Sequence, residues 1–150
     1  MRIFIEQPTA FHFSRSKFMA SNLEIAKKGY ELFQLGDIPT LVNDLIDDGC
    51  TWITPGPSDK LPWAGRFKGK QEIAGFFAKV AENIDFSEFA PREMIEQGDT
   101  VVVLGSSSGR MKKTGKISKN EWAHVLKYSK GKLVFFQEYY DTAAEVAAMS

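Results

Sequence analysis

KNEWAHVLKYSKGKLVFFQEYYD, residues 119–141, is the stretch on which the fold turns. Two runs rich in aromatic and β-branched residues flank Tyr128-Ser-Lys-Gly-Lys132, the pattern of two antiparallel strands joined by a tight turn. The spacing predicts a three-residue hairpin loop with Gly131 at the position that needs positive φ. That register pairs 128 with 132, and therefore 124 with 136 and 122 with 138. Side chains alternate along a strand, so Trp122, His124, Leu126, Val134, Phe136, Glu138 and Tyr140 share one face. Ala123, Val125, Lys127, Leu133, Phe135, Gln137, Tyr139 and Asp141 share the other. Both faces of residues 133–140 are largely apolar. Helices can cover one; the second predicts a homodimer through the outer sheet face, centred on Val125, Phe135 and Tyr139.

Upstream of this hairpin the pattern is first helical and then extended. Ser21-Asn-Leu-Glu24 has the form of a capping box, and Ile25, Ala26, Tyr30, Leu32 and Phe33 follow until Gly36 stops the run. Asp37 and Pro39 open a second short helix that Asp47-Asp48-Gly49 closes. Cys50-Thr-Trp-Ile-Thr54 alternates and is β-branched, a strand ended by Pro55-Gly56-Pro57; a loop carrying Trp63 leads to Gly69. Residues 70–84 predict an amphipathic helix with Ile73, Phe76, Phe77, Val80 and Ile84 on one face. Strands are expected near 86–96, 100–109, 119–129 and 132–141, and a final helical turn or two over 142–149. Helices first and an antiparallel meander after is an α+β arrangement with the helices on one side of the sheet.

The 150 residues suit one domain with a sizeable core. Lys plus Arg and Asp plus Glu are 19 each, and a neutral chain argues against nucleic acid as partner. Twelve Phe, three Trp and four Tyr predict a core or pocket lined with rings. Cys50 is alone, so neither an intrachain disulfide nor a cysteine-based metal site is expected. Two His without a tight carboxylate cluster argue against any metal, and nothing in the pattern calls for a cofactor. No apolar run is long enough to span a bilayer, so no membrane role is expected. Residues 1–18 are Phe-rich and basic without a clear period or a signal cleavage site; they read as an N-terminal appendage, with the domain over 19–150 and the cytoplasm as the default location.

Glu138 and His124, on a ring-rich face, are the best chemical pair in the sequence. Taking a carboxylate out of water raises its pKa, which suits general acid or base work near neutral pH. In the expected register His124 lies diagonally across from Glu138, within reach of a direct or water-bridged hydrogen bond. The competing reading is a carboxylate at a wet rim beside a core histidine. Other candidates carry less. His12 falls on the appendage. Arg110, Lys112, Lys113, Lys116 and Lys119 interleave with Gly and Thr rather than rings, which reads as a solvated loop. Ser106-Ser107-Ser108 has no base at a recognisable spacing, and Gly105 and Gly109 fall in a strand rather than a phosphate loop.

Thr51-Trp-Ile-Thr-Pro-Gly56, Leu61-Pro-Trp-Ala-Gly-Arg-Phe-Lys-Gly-Lys-Gln-Glu-Ile-Ala-Gly-Phe-Phe77 and Gly131-Lys-Leu-Val-Phe-Phe-Gln-Glu-Tyr-Tyr-Asp-Thr142 together resemble the SnoaL-like polyketide cyclases and ketosteroid-isomerase-related proteins of the nuclear transport factor 2-like superfamily. The resemblance spans residues 22–148. It implies a cone-shaped, curved antiparallel sheet wrapped around N-terminal helices (a cystatin-like fold), an apolar pocket, and dimerisation through the outer face. It is specific for fold and poor for reaction. The ketosteroid isomerases keep an Asp base where this chain has Thr54, before Pro55. The Arg and Asp of the similar limonene epoxide hydrolases fall near Gly105 and Ser107, while their last-strand Asp matches Glu138, and their water-holding Tyr and Asn match Trp52 and Thr54. The hairpin register and the resemblance together point to a site with Glu138 and His124 as catalytic groups and Trp52, Thr54, Trp63, Trp122, Phe136 and Tyr140 against a small hydrophobic ligand. Two readings stay open: an isomerase- or cyclase-like enzyme moving a proton next to a carbonyl, with epoxide hydrolysis a weaker variant, and a non-catalytic ligand-binding or dimerisation module.

Overall fold

The computed structural model describes residues 2–4 and 20–150. Ser21 caps the first helix: its hydroxyl accepts the Glu24 amide at 3.2 Å, satisfying a free donor of α1 (Asn22–Leu35). Gly36 ends that helix at φ 75°, a conformation glycine adopts without strain. Asp37 caps α2 (Ile38–Thr40), and a wider π turn over Leu41–Leu45 delivers the chain into strand β2 (Ile46–Thr54). Then follow β3 (Gly65–Lys68), α3 (Gly69–Asn83), β4 (Ile84–Gln97), β5 (Thr100–Met111), β6 (Ile117–Ser129), β7 (Lys132–Tyr140) and α4 (Thr142–Ala148). Arg2–Phe4 form β1, paired to the edge of β4 through Met94, Ile95 and Glu96. His12 and most of the segment read as an appendage lie outside the described residues.

One sheet runs in the order β1-β4-β5-β6-β7-β2-β3, antiparallel throughout except where β2 lies parallel to β7. With helices on its inner face this is the expected α+β architecture. The sheet curves without closing. Register breaks between Phe86 and Glu88 and between Pro91 and Glu93 bend β4 along β5, since each inserts a residue the partner strand does not match. Pro91, lacking an amide hydrogen, sits at the second break. Helix α1 meets the inner face through Tyr30, and α3 through Phe76 and Phe77 against Trp52. Ile73, Phe76, Phe77 and Val80 form the buried stripe of α3. Ile84, expected to end that stripe, instead begins β4 and stays buried.

Three local readings change. The β2 strand starts at Ile46 rather than Cys50, because pairing with Leu133 of β7 captures it there. The chain then runs through exposed Asp48 and Gly49 before pairing resumes at Thr51. Residues 65–68, expected as loop, pair with β2 as β3; so short a segment becomes a strand only by borrowing the edge of another. The hairpin is tighter than expected. Lys130 (φ 51°) and Gly131 (φ 78°) form a two-residue type I′ turn that pairs Ser129 with Lys132, and a bulge at Val134 then shifts the register. The outcome pairs 124 with 138 and 122 with 140, two residues from expectation. An offset of two preserves the faces from Phe135 onward. Nearer the turn, the bulge puts Leu133 inward, where Val134 was expected.

The cations read as a solvated loop tie down chain ends. Lys112 Nζ donates to the Ala81 carbonyl at 2.7 Å, and Lys116 Nζ to that of Ser150 at 2.7 Å, while Arg110 and Lys112 approach Asp85. On the inner face, Gly105 of β5 pairs with Trp122 of β6 and is covered by its indole. A Cβ on Gly105 would come within 2.4 Å of two ring carbons and 2.6 Å of the Ala90 carbonyl oxygen. Trp122 can lie flat on the sheet only because its neighbour has no side chain. Gly105→Ala is therefore expected to lower stability by about 1–3 kcal/mol through overpacking. It should also shift the tryptophan emission to the red as Trp122 is lifted from its bed. An unchanged unfolding midpoint would show that the indole moves aside freely.

Candidate functional site

Tyr30, His124 and Glu138 come from α1, β6 and β7 and meet inside the sheet. Helical spacing points Tyr30 at the sheet: Leu23, Ala26 and Tyr30 are all buried on one flank of α1. Strand alternation and the β6–β7 register place His124 directly opposite Glu138. His124 Nε2 lies 2.7 Å from Glu138 Oε2, and its Nδ1 lies 2.6 Å from the Tyr30 hydroxyl. The histidine is 3% exposed, whereas the Glu138 side chain retains 17%, so the carboxylate is the open end of the chain. Burial pushes the Tyr30 phenol well above its ordinary value, with smaller contributions from Tyr128 and Glu138, so it keeps its proton. Donation from Tyr30 O–H to Nδ1 leaves the imidazole proton on Nε2, facing Glu138. The expected pair is thus a direct contact extended by a third group, Tyr30, which the sequence reading had placed only in the helix core.

The surrounding wall is a continuous bank of rings. Trp122 stacks on His124 with centroids 4.0 Å apart, Phe89 on Trp122 at 4.9 Å, and Trp52 on Phe136 at 3.7 Å. They enclose a mainly apolar cavity of about 120 Å³ that Glu138, His124, Tyr140, Trp52, Trp63, Trp122 and Phe136 all line. Thr54 stands behind that wall, because its hydroxyl donates to the Trp63 carbonyl at 2.5 Å and it contributes nothing to the lining. Its role is to hold the Trp63 loop. Trp122 occupies the space over Gly105, so an apolar ring covers this part of the wall. Cys50 is fully buried away from this wall, and burial raises its thiol to about 12, which makes it unreactive. Among the described residues no group of three His, Cys, Asp or Glu is placed to hold a metal.

A second polar cluster opens on the same cavity and was not read from the sequence. Glu145 of α4 is 7% exposed and stands beside Tyr140 and Trp63, and the Trp63 Nε1 donates to the Tyr140 hydroxyl at 3.3 Å. The available signal was a lone carboxylate in the Ala-rich stretch 142–149 behind a capping Asp141, whose Oδ1 accepts the Ala144 amide at 3.1 Å. Desolvation raises the Glu145 pKa and the Glu138 charge adds to it, against Tyr140 and Trp63, which lower it. Burial likewise raises the Tyr140 phenol. Because Glu145 binds its proton more tightly in the folded chain, stability should fall as pH rises from the ordinary value of 4.5 toward its raised value, then level off. Glu145→Gln removes that slope. Denaturant unfolding across this pH range checks it, and an equal slope in the variant would show another group is responsible.

The model of the SnoaL-like domain family matches residues 26–136. No curated protein matches the chain. Among solved structures, an NTF2-like protein from Burkholderia xenovorans LB400 superposes with a TM-score of 0.79 at 29% identity, covering 89% of this chain and 100% of that one. An NTF2-like protein of unknown function from Burkholderia pseudomallei K96243 gives 0.80 at 26% identity, covering 88% and 99%. TerC, co-crystallised with polyporic acid, gives 0.76 at 27% identity, covering 85% and 97%. The helices, the curved sheet and the matched span agree: the chain belongs to the SnoaL-like domain family, on the nuclear transport factor 2-like fold.

Proposed function

We propose that the protein binds a small apolar molecule in its ring-lined cavity and moves a proton at a carbon next to a carbonyl, with Glu138 as acid and base. The observation that carries this reading is the Tyr30–His124–Glu138 chain, with contacts of 2.6 and 2.7 Å, ending in a carboxylate at the cavity wall. Ionised Glu138 takes the proton from carbon, leaving an enolate. Returned at another carbon, the proton completes an isomerisation; attack by the enolate on an internal carbonyl carbon, whose oxygen then takes the proton back from Glu138, completes a cyclisation. His124 holds the carboxylate in place, and Tyr30 fixes the tautomer that lets it do so. Co-crystallisation of TerC with polyporic acid supports an organic occupant for a cavity of this fold.

Thr54 favours the second reading, a non-catalytic ligand-binding or dimerisation module. It replaces the first-strand carboxylate of the resembled isomerases, and its hydroxyl is committed to Trp63. The two readings separate in deuterium oxide. Incubated with a panel of ring-bearing ketones, the wild type should incorporate deuterium next to the carbonyl of at least one compound, measured by mass spectrometry. Glu138→Gln should reduce that exchange at least about 100-fold while apolar binding stays within a few-fold. Exchange no faster than buffer for the wild type, or full exchange in the variant, would leave the module as the standing reading.

We further infer that the chain is a homodimer through the outer sheet face. Phe135 and Val125 are only half-buried there, Leu104 and Tyr139 are exposed, and Lys127 sits 5.3 Å over the Phe135 ring at the margin. Phe135→Glu puts a charge into that patch and should convert a dimer to monomer at micromolar concentration by sedimentation. A monomeric wild type would remove the inference.

A further inference from the structure

The Trp63–Tyr140–Glu145 cluster takes no part in the relay just described, yet it faces the same cavity. Three elements converge on it: the loop over residues 55–64, the end of β7 and helix α4. The helix is held at both ends, by the Asp141 cap and by Thr114 Oγ1, which donates to the Ala148 carbonyl at 2.6 Å. Glu145 is therefore presented on a fixed support. A buried carboxylate is a poor device for stability alone, since an apolar residue of similar volume packs without desolvating a charge. Its oxygens offer about four acceptor positions. Tyr140 and Trp63 stand beside it, and the one indole hydrogen of Trp63 goes to the Tyr140 hydroxyl, which leaves acceptor capacity on Glu145 toward the cavity.

We propose that Glu145, with Tyr140, is a second ligand-binding station that holds a hydroxyl group, so that the cavity selects apolar molecules carrying an alcohol, phenol or enol. This rests on the ligand-binding reading above and names the class of molecule. A hydroxyl donates to the carboxylate and also has lone pairs for the phenol. An ether offers only the lone pairs and a hydrocarbon neither, so each leaves buried polar groups unmatched, which is how such sites reject close analogues. The cavity of about 120 Å³ compares with the roughly 150 Å³ engineered cavity that accepts benzene, so a one-ring probe suits it.

The test is an NMR titration of the full chain at neutral pH with 4-methylphenol, its isomer anisole, and toluene. The phenol is expected to bind about tenfold more tightly than the other two. Glu145→Met and Tyr140→Phe should each shrink that preference to within about twofold while toluene binding is unchanged; Glu138→Gln should retain it. Either substitution at the second station suffices if the other fails to fold. Equal binding of the three compounds by the wild type overturns the assignment and leaves the ligand-binding reading intact. So does a preference that survives in Glu145→Met and Tyr140→Phe, or one that vanishes in Glu138→Gln, which would place the hydroxyl at the first station. Binding of none of the three removes the ligand-binding reading and this inference with it.

Discussion

One unmatched residue, Val134, decides which side chains of the last strand see the cavity. The type I′ turn at Lys130-Gly131 alone would set Gln137 against His124, because Ser129 pairs with Lys132. Val134 has no partner across the ladder, and the extra residue turns the rest of β7 by one position. Glu138 then faces His124, Phe136 faces Leu126, and Tyr140 faces Trp122. Without the bulge Gln137 and Tyr139 would point inward and both carboxylate stations would lose a member. The 2.7 Å contact of His124 with Glu138, the position of Tyr140 beside Glu145, and the apolar outer patch all follow from that single insertion.

A second constraint keeps the space open. Gly105 gives Trp122 a flat seat, and the stacked series from Phe89 through Trp122 to His124 lines the sheet with ring faces rather than flexible chains. Each such pair contributes about 0.5–1.5 kcal/mol beyond its buried area. Rings braced in this way collapse into a void less readily than aliphatic side chains with free rotors. Trp63, held by Thr54 through its carbonyl and by Tyr140 through its indole, closes the wall on another side. The cavity is thus a product of packing rigidity, and the two polar clusters stand out within it because everything around them is apolar.

The two clusters also differ in kind. Glu138 is partly open and its partner histidine closed, an arrangement that presents a carboxylate to an occupant. Glu145 is buried beside Tyr140 and Trp63 and repelled by the Glu138 charge, an arrangement that holds rather than attacks. A fold that serves enzymes and carriers alike changes its chemistry by exchanging such groups on an unchanged wall. In this chain the wall has Thr54 behind it, Trp122 over Gly105, and a carboxylate on the closing helix.

Local pattern was enough for the helices, the four long strands, the α+β class and the inward face of β6, because periodicity reports which side of an element is apolar. Strand alternation in the last hairpin put Glu138 and His124 on one face as a pair, and motif resemblance carried the family. Tertiary structure decided the rest. Residues 65–68 became a strand by edge pairing, and Ile46 entered β2 by meeting Leu133, neither of which a local window contains. Tyr30 lies 94 positions from His124, and Glu145 joins Trp63 only when α4 folds back over the loop. Turn type and a bulge set register through backbone geometry that side-chain pattern reports only to within an even number of residues. The face of Glu138 and its pairing with His124 were therefore legible in the chain, whereas the exact register, the third member Tyr30 and the second carboxylate beside them depended on backbone geometry and on contacts between segments far apart in sequence.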